Sequence, residues 1–125
     1  MIYTSYFSYA SKLTNVYRIS VSLVTPEWAT IEAKCPELYP TWDLIKRYKK
    51  DGDADKYKHD YFELLRTRGD SVINALNQIE ELSKDHTVLL CCWENTKKFC
   101  HRRLIPEFAG KDWPEYFEDN GLILK

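Results

Sequence analysis

The chain carries almost no net charge. Its 125 residues include 18 basic and 19 acidic side chains, a formal charge of -1. No global field therefore draws it to nucleic acid, and contact with a polyanion has to come from a local patch. It also lacks any apolar run near the roughly 20 residues that span a bilayer, and its opening MIYTSYFSYASK lacks the build of a secretory signal. The expectation is a cytoplasmic protein with no membrane contact. Cysteine is sparse, with 4 residues of which Cys91 and Cys92 are adjacent. That pattern fits poorly with a secreted disulfide scaffold, and free thiols in a reducing compartment are the expected state. Repeats, low-complexity tracts and an internal boundary are missing as well. With 44% hydrophobic residues, the chain is the size of one domain over 1–125, large enough for a single core.

What is present centres on Thr87 to Leu104, TVLLCCWENTKKFCHRRL. An unbroken apolar run reads as a buried strand, and Phe99, Leu104, Ile105 and Phe108 then recur at helical spacing. The joint between the two holds the polar chemistry. In open α/β sheets, ligands gather at the carboxyl ends of strands, where the next helix offers unpaired N–H groups. Residues two apart on a strand share a face, so Cys92 and Glu94 project together while Cys91 and Trp93 take the other side. Cys100, His101 and Arg102 fall at the helix start. The dipole and the neighbouring Arg102 and Arg103 would lower a thiol pKa there.

These residue types support acid, base and thiol chemistry. His101, with a reference pKa of about 6.5, suits general acid or base work, and Glu94 either orients it or is itself the base. Cys92 or Cys100 is then a nucleophile or a pocket wall. Positive charge at a helix start opposes the dipole, a mismatch that an anion between Arg102 and Arg103 would explain, whether a ligand or the carboxylate of Glu94. The structural alternative comes from a helical wheel. It places Cys100, His101, Leu104, Ile105 and Phe108 on a core face, with Arg102 and Arg103 away from it, and a cysteine so placed is an inert filler. A metal site, built on Cys91, Cys92, Cys100 and His101, is disfavoured by spacing: adjacent strand cysteines diverge, and zinc modules generally use cysteines two to four apart. No cofactor is expected.

The remaining segments build an α/β frame. Ile2 to Phe7 suits a first strand, with Ser5 and Tyr6 near its end. From Val16 to Val24 the chain alternates, Tyr17, Ile19, Val21 and Leu23 pointing one way and Arg18, Ser20 and Ser22 the other, until Pro26. Glu27 to Pro40 shows no period and reads as a long loop, of the kind that serves as a lid or binding edge or that packs Trp28 on the core. Thr41 caps a helix to Lys50 with Trp42, Ile45 and Tyr48 on one side, ended by Asp51-Gly52. Its exposed face, with Lys46, Arg47, Lys49 and Lys50 followed by Lys56 and Lys58, is a solvated face or a phosphate track. Tyr57, Tyr61, Leu64 and Leu65 form the stripe of a second helix stopped at Gly69. Asp70 caps a third, with Val72, Ile73, Leu76, Ile79 and Leu82 inward. Beyond Gly110, residues 113–118 read as a further turn and residues 121–124 as a short last strand.

The pattern Cys92-Trp93-Glu94, four residues, then Phe99-Cys100-His101-Arg102 resembles the bacterial and phage domain-of-unknown-function family 488. The likeness extends upstream through Tyr3-Thr4-Ser5-Tyr6-Phe7, Ile19-Ser20-Val21-Ser22 with Pro26, and Leu38-Tyr39-Pro40, and it runs to about Phe108. After that point, where relatives run into a helix and a final strand, this chain has GKDWPEYFEDNGLILK. The resemblance implies a single α/β domain with a mainly parallel central sheet flanked by helices. By motif it carries over Cys92, Glu94, Cys100, His101 and Arg102, with Ser5 and Tyr6 more weakly. It brings no settled reaction. The functional expectation is an anionic-ligand site over residues 92–103 that takes a nucleotide or nucleic-acid component, Arg102 and Arg103 holding the anion beside Ser5 and Tyr6. Hydrolysis or group transfer is the reaction class expected. Two alternatives stand beside it: a non-enzymatic module that meets nucleic acid or protein through the basic helix or Trp28, and a Cys/His metal-binding domain.

Overall fold

The computed structural model describes residues 1–94 and 99–116. A fully parallel four-stranded sheet lies at its centre: β1 (Ile2–Tyr6), β2 (Tyr17–Ser20), β3 (Ala33–Lys34) and β4 (Val88–Cys92), in spatial order β1-β4-β2-β3. Every residue of β4 is buried. The cause is its place between β1 and β2 with both faces covered, which is why its sequence is an apolar run with no alternation. Val88, Leu90 and Cys92 join one core cluster with Ile19, Val21, Tyr61, Leu65 and Ile79, while Leu89 and Cys91 join Tyr3, Phe7, Ala10 and Tyr116 on the opposite face. The expected α/β architecture with a parallel sheet flanked by helices is what the chain adopts.

The helices are α1 (Phe7–Ala10), α2 (Trp42–Asp51), α3 (Ala54–Arg68), α4 (Asp70–Leu82) and α5 (Leu104–Ala109), with 3-10 turns at Pro36–Leu38 and His101–Arg103. The Thr41 hydroxyl accepts from the Leu44 N–H at 3.3 Å, so the predicted cap holds. Gly52 ends α2 at φ 63, a left-handed conformation that costs glycine nothing. Asp53 caps α3 by accepting from the Lys56 N–H at 3.0 Å. Gly69, also at positive φ, both closes α3 and precedes α4, so Asp70 is the first residue of α4 and not its cap.

Several local expectations are corrected. The second strand is four residues long and its Arg18, Ser20 and Ser22 side are buried, because the sheet is covered on both faces. The segment Glu27 to Pro40 is not featureless: Ala33–Lys34 pairs in parallel with β2 and a 3-10 turn follows. Trp42 and Ile73 are exposed where inward positions were expected, and Leu44 and Ala75 take the core places. Glu115 and Tyr116 run alongside β1, with reciprocal hydrogen bonds from Thr4 N–H to the Pro114 carbonyl and from Tyr116 N–H to the Thr4 carbonyl, so residues 113–116 form no turn, and the rest of the expected turn lies outside the described residues. The proposed strand over residues 121–124 lies outside the described residues. Among those described, no helix is long and apolar enough to cross a membrane.

Candidate functional site

β1, β2 and β4 end at the same edge of the sheet, and the motif gathers there. Cys92 is the last residue of β4, Trp93 and Glu94 are exposed just past it, and residues 95–98 lie outside the described set. The chain re-enters at Phe99 and Cys100 and tightens into the turn His101–Arg103. A cavity of about 500 Å³ opens over this edge, within the range of roughly 300–1,000 Å³ that small-molecule sites occupy. Cys92, Glu94, Cys100 and His101 line it from the sheet side; Ile45, Tyr48 and Lys49 of α2, and Tyr57 of α3, line it from above. The four residues expected to carry chemistry are therefore brought to one cavity.

The sulfurs of Cys92 and Cys100 meet as a disulfide, their Cα atoms 7.3 Å apart. The expectation of four free thiols thus holds for Cys35 and Cys91 alone. Both of these are buried, and burial pushes each thiol up to about 12. Cys91 faces the opposite side of β4 from the cavity, as strand alternation requires.

His101 is held by its ring nitrogens. Nε2 lies 2.6 Å from the Val21 carbonyl oxygen. A carbonyl can only accept, so Nε2 carries the proton and Nδ1 keeps its lone pair. That Nδ1 faces the Cys100 sulfur at 3.9 Å. Burial, with the nearby Arg102 charge adding to it, pushes the imidazole down to about 4 against the pull of the Val21 carbonyl, so the ring is neutral at ordinary pH. The group that holds His101 through Nε2 is thus a backbone carbonyl just past β2, as for an inward histidine satisfied by the main chain.

Arg102 sits behind the cavity wall and not in its lining. Its guanidinium is completely buried and makes a bidentate pair with Glu115, Nε to Oε1 at 3.1 Å and the second nitrogen to Oε2. The third nitrogen donates to the Cys92 sulfur at 3.1 Å and to the Glu94 carbonyl. The Tyr6 ring lies 5.8 Å from the guanidinium carbon. The helical wheel that put Arg102 away from the core is corrected, because residues 101–103 form a 3-10 turn whose side chains follow a different period. Arg103 is half-buried, and burial together with the Arg102 charge pulls it below its ordinary value. Ser5 is fully buried and donates to the Tyr116 carbonyl at 2.7 Å. Tyr6 thus lies beside the Arg102 guanidinium and Ser5 is tied to Tyr116, and neither lines the cavity.

Sequence reasoning missed four contributors. Tyr48, Tyr57 and Phe99 wall the cavity as an aromatic group, Phe99 lying 4.8 Å from Tyr48 and 5.2 Å from Tyr57 between ring centroids. The helical spacing that marked these residues as core was the same signal a pocket wall gives. Glu115 had none, since its partner is 13 residues away and its segment read as a turn.

A parallel sheet with a cavity at the carboxyl ends of its strands, lined by Cys92, Glu94, Cys100 and His101, defines a small α/β domain. The chain belongs to the DUF488 family: the family model DUF488-N3a, described as the active DUF488-N3 subclade, matches residues 7–111. No curated protein and no solved structure matches the chain.

Proposed function

We propose that this domain binds a ligand with a flat aromatic part and an anionic part, a nucleotide or a nucleic-acid component, and acts on it by hydrolysis or group transfer. One observation carries the reading. Tyr48, Tyr57 and Phe99, suited to stacking on a base, line the same cavity as the basic residue Lys49 and as Cys92, Glu94, Cys100 and His101. Lys49 takes the anion-binding part first given to Arg102, whose bidentate partner is Glu115 of the same chain. Glu94 and neutral His101 supply proton transfer, and the matched family model carries the description of an active subclade.

Calorimetric titration with nucleoside monophosphates and the matching nucleosides tests the proposal. The monophosphates bind more tightly, and Lys49→Ala weakens them about ten-fold, the size expected for losing one hydrogen bond to a charged group, while leaving the nucleosides unchanged. Failure of both ligand sets to bind at millimolar concentration would sink the proposal.

A further inference from the structure

The ligand-capable atoms of Cys92, Cys100 and His101 all lie within 4.8 Å of one another, and all three residues are buried on the cavity floor. In a tetrahedral site with metal–sulfur bonds of about 2.3 Å and metal–nitrogen bonds of about 2.0–2.1 Å, such atoms stand roughly 3.5–3.8 Å apart. Nδ1 of His101 is already 3.9 Å from the Cys100 sulfur. The Cα separation of 7.3 Å between the cysteines is wider than the span of roughly 4.4–6.8 Å common for disulfides, and it suits two sulfurs reaching for a common ion.

We propose that Cys92, Cys100 and His101, with the cysteines reduced, bind one zinc-like divalent ion through two thiolates and the Nδ1 of the imidazole, leaving a fourth position open to the cavity. The surroundings are those of a ligand set. A metal-bound histidine characteristically donates its other N–H to a carbonyl or carboxylate, which fixes ring and tautomer, and His101 Nε2 does this to Val21 at 2.6 Å. The Arg102 guanidinium donates to the Cys92 sulfur at 3.1 Å and is anchored by Glu115, an arrangement that favours the thiolate and holds it in place. Charges also balance: a divalent cation meets two thiolates, and Arg102 meets Glu115. Spacing had disfavoured a metal because Cys91 and Cys92 diverge. They do, and the second sulfur comes instead from Cys100, eight residues further on. Three protein ligands with an open position match catalytic zinc sites, whereas structural sites close all four.

The disulfide of the structure has to be opened first. A water-soluble phosphine with one water takes the sulfur pair to two thiols and becomes the phosphine oxide; binding of the ion then displaces both thiol protons to buffer. The inference concerns the metal alone and does not require a nucleotide, so the ligand proposal above is tested separately; a bound ion occupies the Nδ1 lone pair of His101 while Nε2 stays on Val21, and in the metal-loaded state proton transfer falls to Glu94.

The test is titration of reduced, metal-free protein with cobalt(II), a spectroscopic stand-in for zinc. One equivalent binds, giving a thiolate-to-cobalt charge-transfer band and the intense visible bands of a tetrahedral site, and zinc displaces it. Cys91→Ala leaves the spectrum unchanged; Cys100→Ser and His101→Ala abolish or shift it. Because those two variants could fail to fold, alkylation of the wild-type chain gives a second readout: one equivalent of zinc protects Cys92 and Cys100 at least ten-fold. Absence of the charge-transfer band in folded, reduced protein, or zinc that protects neither cysteine, overturns the proposal.

Discussion

Arg102 and Glu115 form a buried bidentate ion pair that ties the segment after α5 to the middle of the motif. The guanidinium is fully buried and the carboxylate side chain is 11% exposed. Removing one member leaves the other charged and desolvated, which costs far more than the intact pair contributes. Arg102→Ala should therefore destabilise the fold by about 3–5 kcal/mol, and Glu115→Gln by a large part of that. Replacing both residues by apolar side chains of similar volume should recover most of the loss. Urea melts of the three variants check this, and equal destabilisation in the single and double variants would show that the pair is not the source.

A second ion pair links β2 to the segment before β3. Arg18 reaches both carboxylate oxygens of Glu32 at 3.0 and 2.8 Å, and the Arg18 N–H donates to Glu32 as well. Partial burial raises the Glu32 pKa, but these hydrogen bonds and the Arg18 charge outweigh it and hold the carboxyl below its usual range. A carboxylate with a depressed folded-state pKa contributes stability that is fully present above its unfolded value and is lost as pH falls through the folded one. The chain should therefore lose stability below about pH 4.5, the ordinary glutamate range, and Glu32→Gln should flatten that part of the curve. Parallel pH profiles of the melting temperature for wild type and Glu32→Gln would show it; profiles of identical slope would contradict it.

Tyr61 offers a simpler case. It is completely buried in α3, and its hydroxyl donates to the Leu38 carbonyl at 2.6 Å, tying the helix to the 3-10 turn below the cavity. Tyr61→Phe keeps the packing and leaves a buried carbonyl without that donor, a loss of about 1–3 kcal/mol. Chemical denaturation measures it, and a neutral result would mean that water or a neighbour replaces the hydroxyl.

The parts of the molecule legible in the sequence are those set by local physics. The apolar run Val88–Cys92 could only be a strand covered on both faces, and Thr41, Gly52 and Gly69 marked helix ends because caps and positive φ demand particular residues. The convergence of Cys92, Glu94, Cys100 and His101 was also readable, since a strand end followed by a re-entrant turn leaves few other arrangements. What was hidden depends on long-range partners. Arg102 looked like an anion clamp because nothing near it in sequence is its carboxylate. Arg18 fell on one face of its strand with no sign of its carboxylate, because Glu32 lies across a segment with no period. The aromatic cavity wall was hidden differently, since Tyr48 and Tyr57 fit a core stripe and a ligand wall equally well.

The cysteines should divide sharply in reactivity once the disulfide is reduced and any metal is removed. Attack on an alkylating reagent requires a thiolate and a path to it. Cys35 and Cys91 have neither, being buried away from the cavity with pKa values pushed up to about 12, so at pH 8 each holds only about one thiolate in 10,000 thiols. Cys92 and Cys100 line the cavity, and Cys92 has the Arg102 guanidinium at 3.1 Å, which favours its thiolate. Iodoacetamide labelling followed by peptide mass spectrometry should therefore modify Cys92 and Cys100 at least ten-fold faster than the other two in the native state. Denaturation should erase the difference, because it removes both burial and the guanidinium. Labelling of Cys91 at a comparable native rate would mean that the sheet face opposite the cavity opens on the timescale of the reaction, and the cavity would lose its standing as the place where sulfur chemistry is concentrated.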